Sequence, residues 1–325
     1  MCSKLDIPIY FSPIDLDYLQ TAHRLAYLLK KHHVDIAIFH EVDPINHMVA
    51  RLAEVPCSLV YYHGLLPQAP AFDGILLHRP EEIIWQQKLL DSIECTPLAV
   101  PLEVNVTKLW KEKATPRSSF PCPDDALLLT TLTGHLETRI SWPMRNAIIK
   151  ILKQVPNAYY LPMGTPPTTT KSELFPTSQD VLNRIIFLGE NQPAAHMLRS
   201  MDLYLNDFPV GGGIAVIEAM AASLPIVAMF DKTGLPPSRN VGHFLGREYC
   251  IESNAWEDYA DDAIALLQDK KARKKRGKHS FSRYLTMNDP ARHAERFQES
   301  VLHFFHDIQS KEGQPLVDDP CCQLT

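Results

Sequence analysis

From residue 15 onward the apolar positions alternate between two rhythms. Leu16, Leu19, His23, Ala26 and Leu29 recur at three- and four-residue spacing, which places them on one stripe of a helix over residues 15–31. Val34-Asp35-Ile36-Ala37-Ile38-Phe39 follows as a short apolar run of the kind that makes a buried strand. Residues 43–54 return to helical spacing, with Asp43 placed to cap the helix and Pro44 at its first position, where a missing N–H costs nothing. Cys57-Ser58-Leu59-Val60-Tyr61-Tyr62 reads as the next strand, and His63-Gly64 ends it in a loop.

Residues 96–125 break the rhythm. Pro97, Pro101, Pro116, Pro121 and Pro123 interrupt any sustained period, so the stretch is expected to be an interdomain linker. A second alternating series follows, with strands expected at 126–132, 158–162, 184–188, 203–206 and 225–229 and helices at 142–154, 193–200 and 214–223. Such alternation predicts a doubly wound α/β domain, whose ligands bind beyond the carboxyl ends of the parallel strands. The expected division is 1–115, 116–290, and a C-terminal helix with a polar tail over 291–325.

Composition changes this picture mainly by exclusion. The chain is 45% hydrophobic and 22% charged, the balance of a globular protein. No run approaches the length of a membrane span, and Met1-Cys2-Ser3-Lys4-Leu5-Asp6 has no secretory signature, so a cytoplasmic location is expected. Seven cysteines in no recognisable framework point to reduced thiols. Cys322-Gln323-Leu324-Thr325 superficially fits a prenylation box, but Thr is a poor final residue and Asp318-Asp319 beside it has the wrong charge. A net charge of −6 argues against nucleic acid as the main partner. The basic run from Lys270 to Lys278 follows a helix-like stretch over 256–268 and is expected to be a solvated helix end, the other reading being a contact with phosphate or an acidic surface.

The candidate chemistry lies in residues 202–225. A strand there runs into Gly211-Gly212-Gly213 and directly into a helix opened by Ile214 and Ala215. Unpaired N–H groups and the positive end of the helix dipole then face the ligand crevice, which makes a seat for phosphate. Glycine lets a pyrophosphate approach the amides closely. Glu218, the only charged residue between Ile214 and Leu224, falls one turn below Ile214 on nearly the same face, roughly 6 Å from the helix start. A carboxylate there is expected to accept hydrogen bonds from the hydroxyls of a ribose whose diphosphate occupies the terminus. The bland alternative is a tight turn with a solvent-facing glutamate.

The run 206–227, with Val155-Pro156-Asn157, Arg184-Ile185-Ile186-Phe187 and Ser238-Arg239, resembles the catalytic domain of the protein O-linked N-acetylglucosamine transferases and their bacterial relatives. Glu218-Ala219-Met220-Ala221-Ala222-Ser223-Leu224-Pro225 is also similar to the wider GT-B superfamily. The likeness spans roughly residues 125–285. It implies two Rossmann-like domains facing a cleft, the N-terminal one abbreviated, and a sugar transferase that takes a nucleotide-diphosphate donor, UDP-linked by preference. It further implies that Glu218 is the ribose ligand, Gly212 to Ala215 the diphosphate loop, Arg139 the cation beside the phosphates, and His196 a neighbour of the base. His63 takes the acceptor side, as general base or as support for the sugar phosphate. No metal and no resident cofactor are implied, the sugar nucleotide being a co-substrate, and the acceptor is a protein or a glycan.

The sequence departs from that pattern in two places. Ile214 and Ala215 stand where the family carries threonines, and Val210 stands where retaining enzymes carry a second glutamate. A second reading therefore stands beside the first, a catalytically silent module of the same fold that binds a partner or a glycan. A metal-binding D-x-D is set aside, since Asp15-Leu16-Asp17 precedes any strand. His303 and His306 on the C-terminal helix lack further ligands.

Overall fold

A computed structural model of the chain describes residues 17–40, 43–61, 71–77, 95–100, 113–190, 194–209, 211–230, 242–252, 255–287 and 290–312. The chain divides into two compact units, residues 1–101 with 294–325, and residues 102–293.

In the first unit, α1 (Tyr18–Lys31) begins at a capping box in which the Asp17 carboxylate accepts from the Gln20 N–H at 2.7 Å and the Gln20 side chain reaches back. α2 (Pro44–Ala53) starts as its sequence requires, with Asp43 accepting from the Asn46 N–H at 2.8 Å and proline in the first turn. Four parallel strands, β1 (Ile36–His40), β2 (Cys57–Tyr61), β3 (Gly74–Leu77) and β4 (Thr96–Ala99), lie side by side in chain order. Val60, Ile75 and Leu77 meet Ala22, Ala26, Val49 and Ala53 of the two helices on one face of the sheet. Leu59, Leu76 and Leu98 meet Val301 and Phe304 of the C-terminal helix (Pro290–Glu312) on the other. That alternation is the period of two expected of strands covered on both sides.

Residues 96–99 correct the linker reading. Their prolines suggested an irregular segment, yet they form β4, paired with β3 in the register Ile75↔Pro97. Proline has no N–H for a ladder, and β4 tolerates it as the last strand of the described sheet.

The second unit is built on β5 (Leu127–Thr130), β6 (Ala158–Tyr160), β7 (Leu203–Leu205) and β8 (Ile226–Val227), parallel and ordered β6-β5-β7-β8. Isolated bridges extend the sheet at both ends, Tyr160↔Ile185 beyond β6 and Met229↔Ile251 beyond β8. Only Ile185 of the expected strand 184–188 makes a bridge, although Ile186 N–H donates to Tyr160 O at 2.9 Å and Leu188 N–H to Pro162 O at 3.0 Å along the same edge. Counted in chain order, the six positions lie 3-2-1-4-5-6, the doubly wound arrangement whose order reverses between β5 and β7.

Helices cover both faces. Leu129, Leu203, Leu205 and Val227 pack with α3 (Trp142–Gln154) and α5 (Trp256–Gln268). Leu128, Tyr204, Ile226 and Ala228 pack with α4 (Ile214–Ala221) and with Tyr284 of α6 (Lys270–Met287). α4 closes on a left-handed Ser223 (φ 61°), with Leu224 N–H donating to Ala219 O and Ser223 N–H to Met220 O, a pattern that satisfies the last carbonyls of the helix. Gly277 of α6 lies against that turn so closely that a Cβ would stand 2.3 Å from Ser223 O.

The basic run is thus not the tail of the helix that precedes it but the first half of another. Residues 270–278 lie inside the 18-residue α6. Arg273 donates to Leu266 O and Leu267 O at the end of α5, and Arg276 pairs with Asp262. Cys57, Cys95, Cys122 and Cys250 are free thiols, and burial beside Asp73 pushes Cys57 up to about 11 and Cys95 to about 12, so neither is a reactive thiolate.

Candidate functional site

The crevice forms where strand order reverses, so two loops flank it, one after β5 and one after β7. The β7 loop carries Asn206-Asp207-Phe208-Pro209 into the glycines, and five contacts hold it. Arg139 Nε lies 2.6 Å from the fully buried Asp207 carboxylate, and a second guanidinium nitrogen donates to Gly211 O. Ser141, which also caps α3, donates to Phe208 O at 2.6 Å. The Tyr259 hydroxyl donates to Asn206 O at 2.9 Å, and Thr131 Oγ1 donates to Leu205 O at 2.8 Å. Arg139 and Asp207 thus form an ion pair whose carboxylate is wholly buried. Burial raises the Asp207 pKa, and the Arg139 charge only partly opposes it.

At the glycines the chain turns through Gly211 in a left-handed conformation (φ 72°) that a side chain would disfavour. The Gly212 N–H donates to Asn206 Oδ1 at 3.0 Å and is thereby engaged. Gly213, Ile214 and Ala215 begin α4, where no side chain caps the helix, and among the described residues their N–H groups have no protein partner. Ile214 is 48% exposed, so the helix opens toward solvent.

Opposite, the β5 loop is tied to its neighbours. Thr165 Oγ1 donates to Gly134 O at 2.8 Å, and Gly164 N–H to Gly189 O at 3.0 Å. Glu137 accepts from Thr169 Oγ1 and from the N–H and hydroxyl of Thr168 at 3.0 and 2.8 Å, and these bonds, that of Thr169 first, lower its pKa to about 2. The crevice is therefore preformed, its loops held by hydrogen bonds before any ligand arrives.

Residues 131–269 match the family described as Glycosyl transferases group 1. Among solved structures, the chain is similar to a glycosyltransferase from Rickettsia africae with a TM-score of 0.69 at 15% identity, over 94% of this chain and 86% of that one. A UDP-forming trehalose-phosphate synthase from Burkholderia xenovorans aligns at 0.67 and 13% identity, over 90% and 78% of the two chains. The pneumococcal O-GlcNAc transferase GtfA, in complex with UDP and GlcNAc, aligns at 0.66 and 13%, over 87% of this chain and 60% of its own. This is a GT-B glycosyltransferase fold. No curated protein sequence matches the chain.

On the GT-B frame the sequence-derived residues fall as follows. Gly211 to Ala215 and Glu218 share the loop and first turn that follow β7, and Arg139 reaches the same loop from the β5 side. Glu218 is half-buried, and desolvation raises its pKa. His196 sits in the short helix Ala195–Leu198, with Nδ1 3.2 Å from Lys113 O, while its own carbonyl accepts from Thr115 N–H. His63, Gly64, Val210, Ser238 and Arg239 lie outside the described residues. Asn206, Asp207, Ser141 and Tyr259 were missed in the sequence; the signal for the first two was a polar pair directly between an apolar strand and the glycines. Among the described residues no three His, Cys, Asp or Glu side chains come together as a metal would require, and no helix is long and apolar enough to cross a membrane.

Proposed function

We propose that the second unit binds a nucleotide-diphosphate sugar, UDP-linked by preference, and that the protein transfers the sugar to a protein or glycan acceptor without a metal or resident cofactor. The observation that carries this is the α4 start at the switch point, with three backbone N–H groups that have no protein partner among the described residues and Glu218 one turn below them. Such donors, with the helix dipole, stabilise a leaving diphosphate as its charge grows. The named neighbours favour UDP, one being an E. coli trehalose-6-phosphate enzyme bound with UDP-2-fluoro glucose. Arg139 spends its charge on Asp207, so its part in this reading is to hold the loop in shape. His63 is proposed to act on the acceptor side.

A second reading, a catalytically silent binding module, is favoured by the scarcity of phosphate ligands. Gly212 N–H is engaged by Asn206, and Ile214 and Ala215 offer no hydroxyls. A thermal-shift series with UDP, GDP, ADP and TDP tests the donor, because a ligand of the folded state raises the melting temperature. UDP is expected to give the largest shift, and Glu218→Ala to lose about 1.5–3 kcal/mol of UDP affinity but almost none for a 2′,3′-dideoxy analogue. No shift with any nucleotide rejects the donor site. Binding without hydrolysis or transfer of the matching sugars selects the silent module.

A further inference from the structure

The basic helix α6 is not used by the nucleotide crevice, and its lysines are arranged in a way that helix stability alone does not favour. Lys270, Lys271, Lys274, Lys275 and Lys278 are all exposed. At 100° per residue they fall within one sector about 140° wide. None makes a side-chain ion pair among the described residues. The two arginines of the run face inward, Arg273 to the α5 carbonyls and Arg276 to Asp262. Asp269, at the head of the face, is occupied in capping the Lys271 and Ala272 N–H groups at 2.8 and 3.0 Å.

Two features oppose helix formation here. Lys270 and Lys271 place positive charge in the first turn, at the positive end of the dipole. Lys270 with Lys274, Lys271 with Lys275, and Lys274 with Lys278 are like-charge pairs at i, i+4. The same sector continues to Leu285, which is 49% exposed two turns further on. A local arrangement that works against its own element marks a surface shaped for contact.

We propose that this face of α6 docks the protein on an anionic lipid bilayer. Flexible lysine stems beside an exposed leucine suit a headgroup layer, where ammonium groups stay in the polar zone and an apolar side chain reaches the acyl boundary. Phosphate recognition in nucleic acid draws on the planar fork of arginine and on free aromatic rings, and this sector presents neither. The overall charge of −6 does not oppose the contact, since charges more than about 8–10 Å from the headgroups are screened.

The test is co-sedimentation of the full chain with phosphatidylcholine vesicles with and without phosphatidylserine, at low and high salt. Binding is expected only with phosphatidylserine and is expected to fall with salt. Each lysine removed weakens it about fivefold, so K274Q/K275Q/K278Q should abolish sedimentation while the same three positions changed to arginine retain it. The variant should melt like the native protein and keep any nucleotide-induced thermal shift, which separates this inference from the donor site. A control with the same net charge, K31Q/K113Q/K153Q, should bind as the native protein does. Equal sedimentation with both vesicle types, equal loss in the control, or no sedimentation at all overturns the proposal. Lysine-dependent binding to single-stranded RNA or duplex DNA, with none to vesicles, overturns it in favour of a nucleic-acid surface.

Discussion

Glu218 stands half-buried on α4, where desolvation works against its charge. Burial raises its pKa, so the folded state prefers the proton. By linkage this contribution to stability is present at acid pH and is lost as pH rises through the folded pKa. Glu218→Gln, which mimics the protonated form, is therefore expected to raise the melting temperature at neutral pH, to make no difference below the ordinary glutamate range, and to weaken nucleotide binding at every pH. Melting curves across pH check this; a lower melting temperature at neutral pH would mean that the charge is stabilising where it stands. Arg139 makes the opposite case. Removing it leaves Asp207 buried without a cation, a loss of about 3–5 kcal/mol for a buried pair. Asp207 already has a raised pKa, and without Arg139 it rises further, so the deficit of Arg139→Ala should be larger near pH 8 than near pH 4. Urea titrations at both values measure it. The glycines and Glu218 were legible in the sequence because they are local, one strand end and one helix turn. Asp207 was not, since its partner stands 68 positions earlier in the chain and nothing in the spacing joins them.

Among the elements, helices with their own caps read directly from sequence. Asp43 with Pro44 marks a start that the structure keeps, whereas the first helix, expected from residue 15, begins at Tyr18 behind the Asp17–Gln20 capping box. β3 was overlooked because Gly74-Ile75-Leu76-Leu77 is too short to show a period, and β4 because of its proline. α6 joined a run of lysines to a glycine, which propensity reads as a weakening helix. Gly277 is there for a packing reason. In a solvated helix Gly→Ala gains about 1 kcal/mol, but here the added methyl would meet the Ser223 carbonyl of a neighbouring turn, and overpacking costs about 1–3 kcal/mol. Gly277→Ala is expected to lower the melting temperature, whereas Lys278→Ala beside it should leave it nearly unchanged. Stabilisation by Gly277→Ala would show that the α4–α6 contact is looser than described.

For the molecule as a whole, the second unit contains every residue proposed to hold the donor. A fragment spanning residues 102–293 is therefore expected to melt cooperatively and to bind UDP within about threefold of the full chain's affinity. It should transfer no sugar, because the proposed acceptor-side His63 lies in the other unit. Calorimetry on the fragment checks the first part; loss of UDP binding in a folded fragment would assign part of the donor site to residues outside 102–293. By itself the sequence determined the α/β class, the two series of strands and helices, and the glycine turn at Gly211 to Gly213 that leads into a helix at Ile214, because hydrophobic period, capping and backbone freedom act over a few neighbouring residues. Only the tertiary structure decided the 3-2-1-4-5-6 order that sets the β5 and β7 loops on either side of one crevice, the commitment of Arg139 to Asp207, and the lysine sector of α6. Each of these depends on which distant segments pack together, and burial and charge pairing act through space between residues that no local pattern connects.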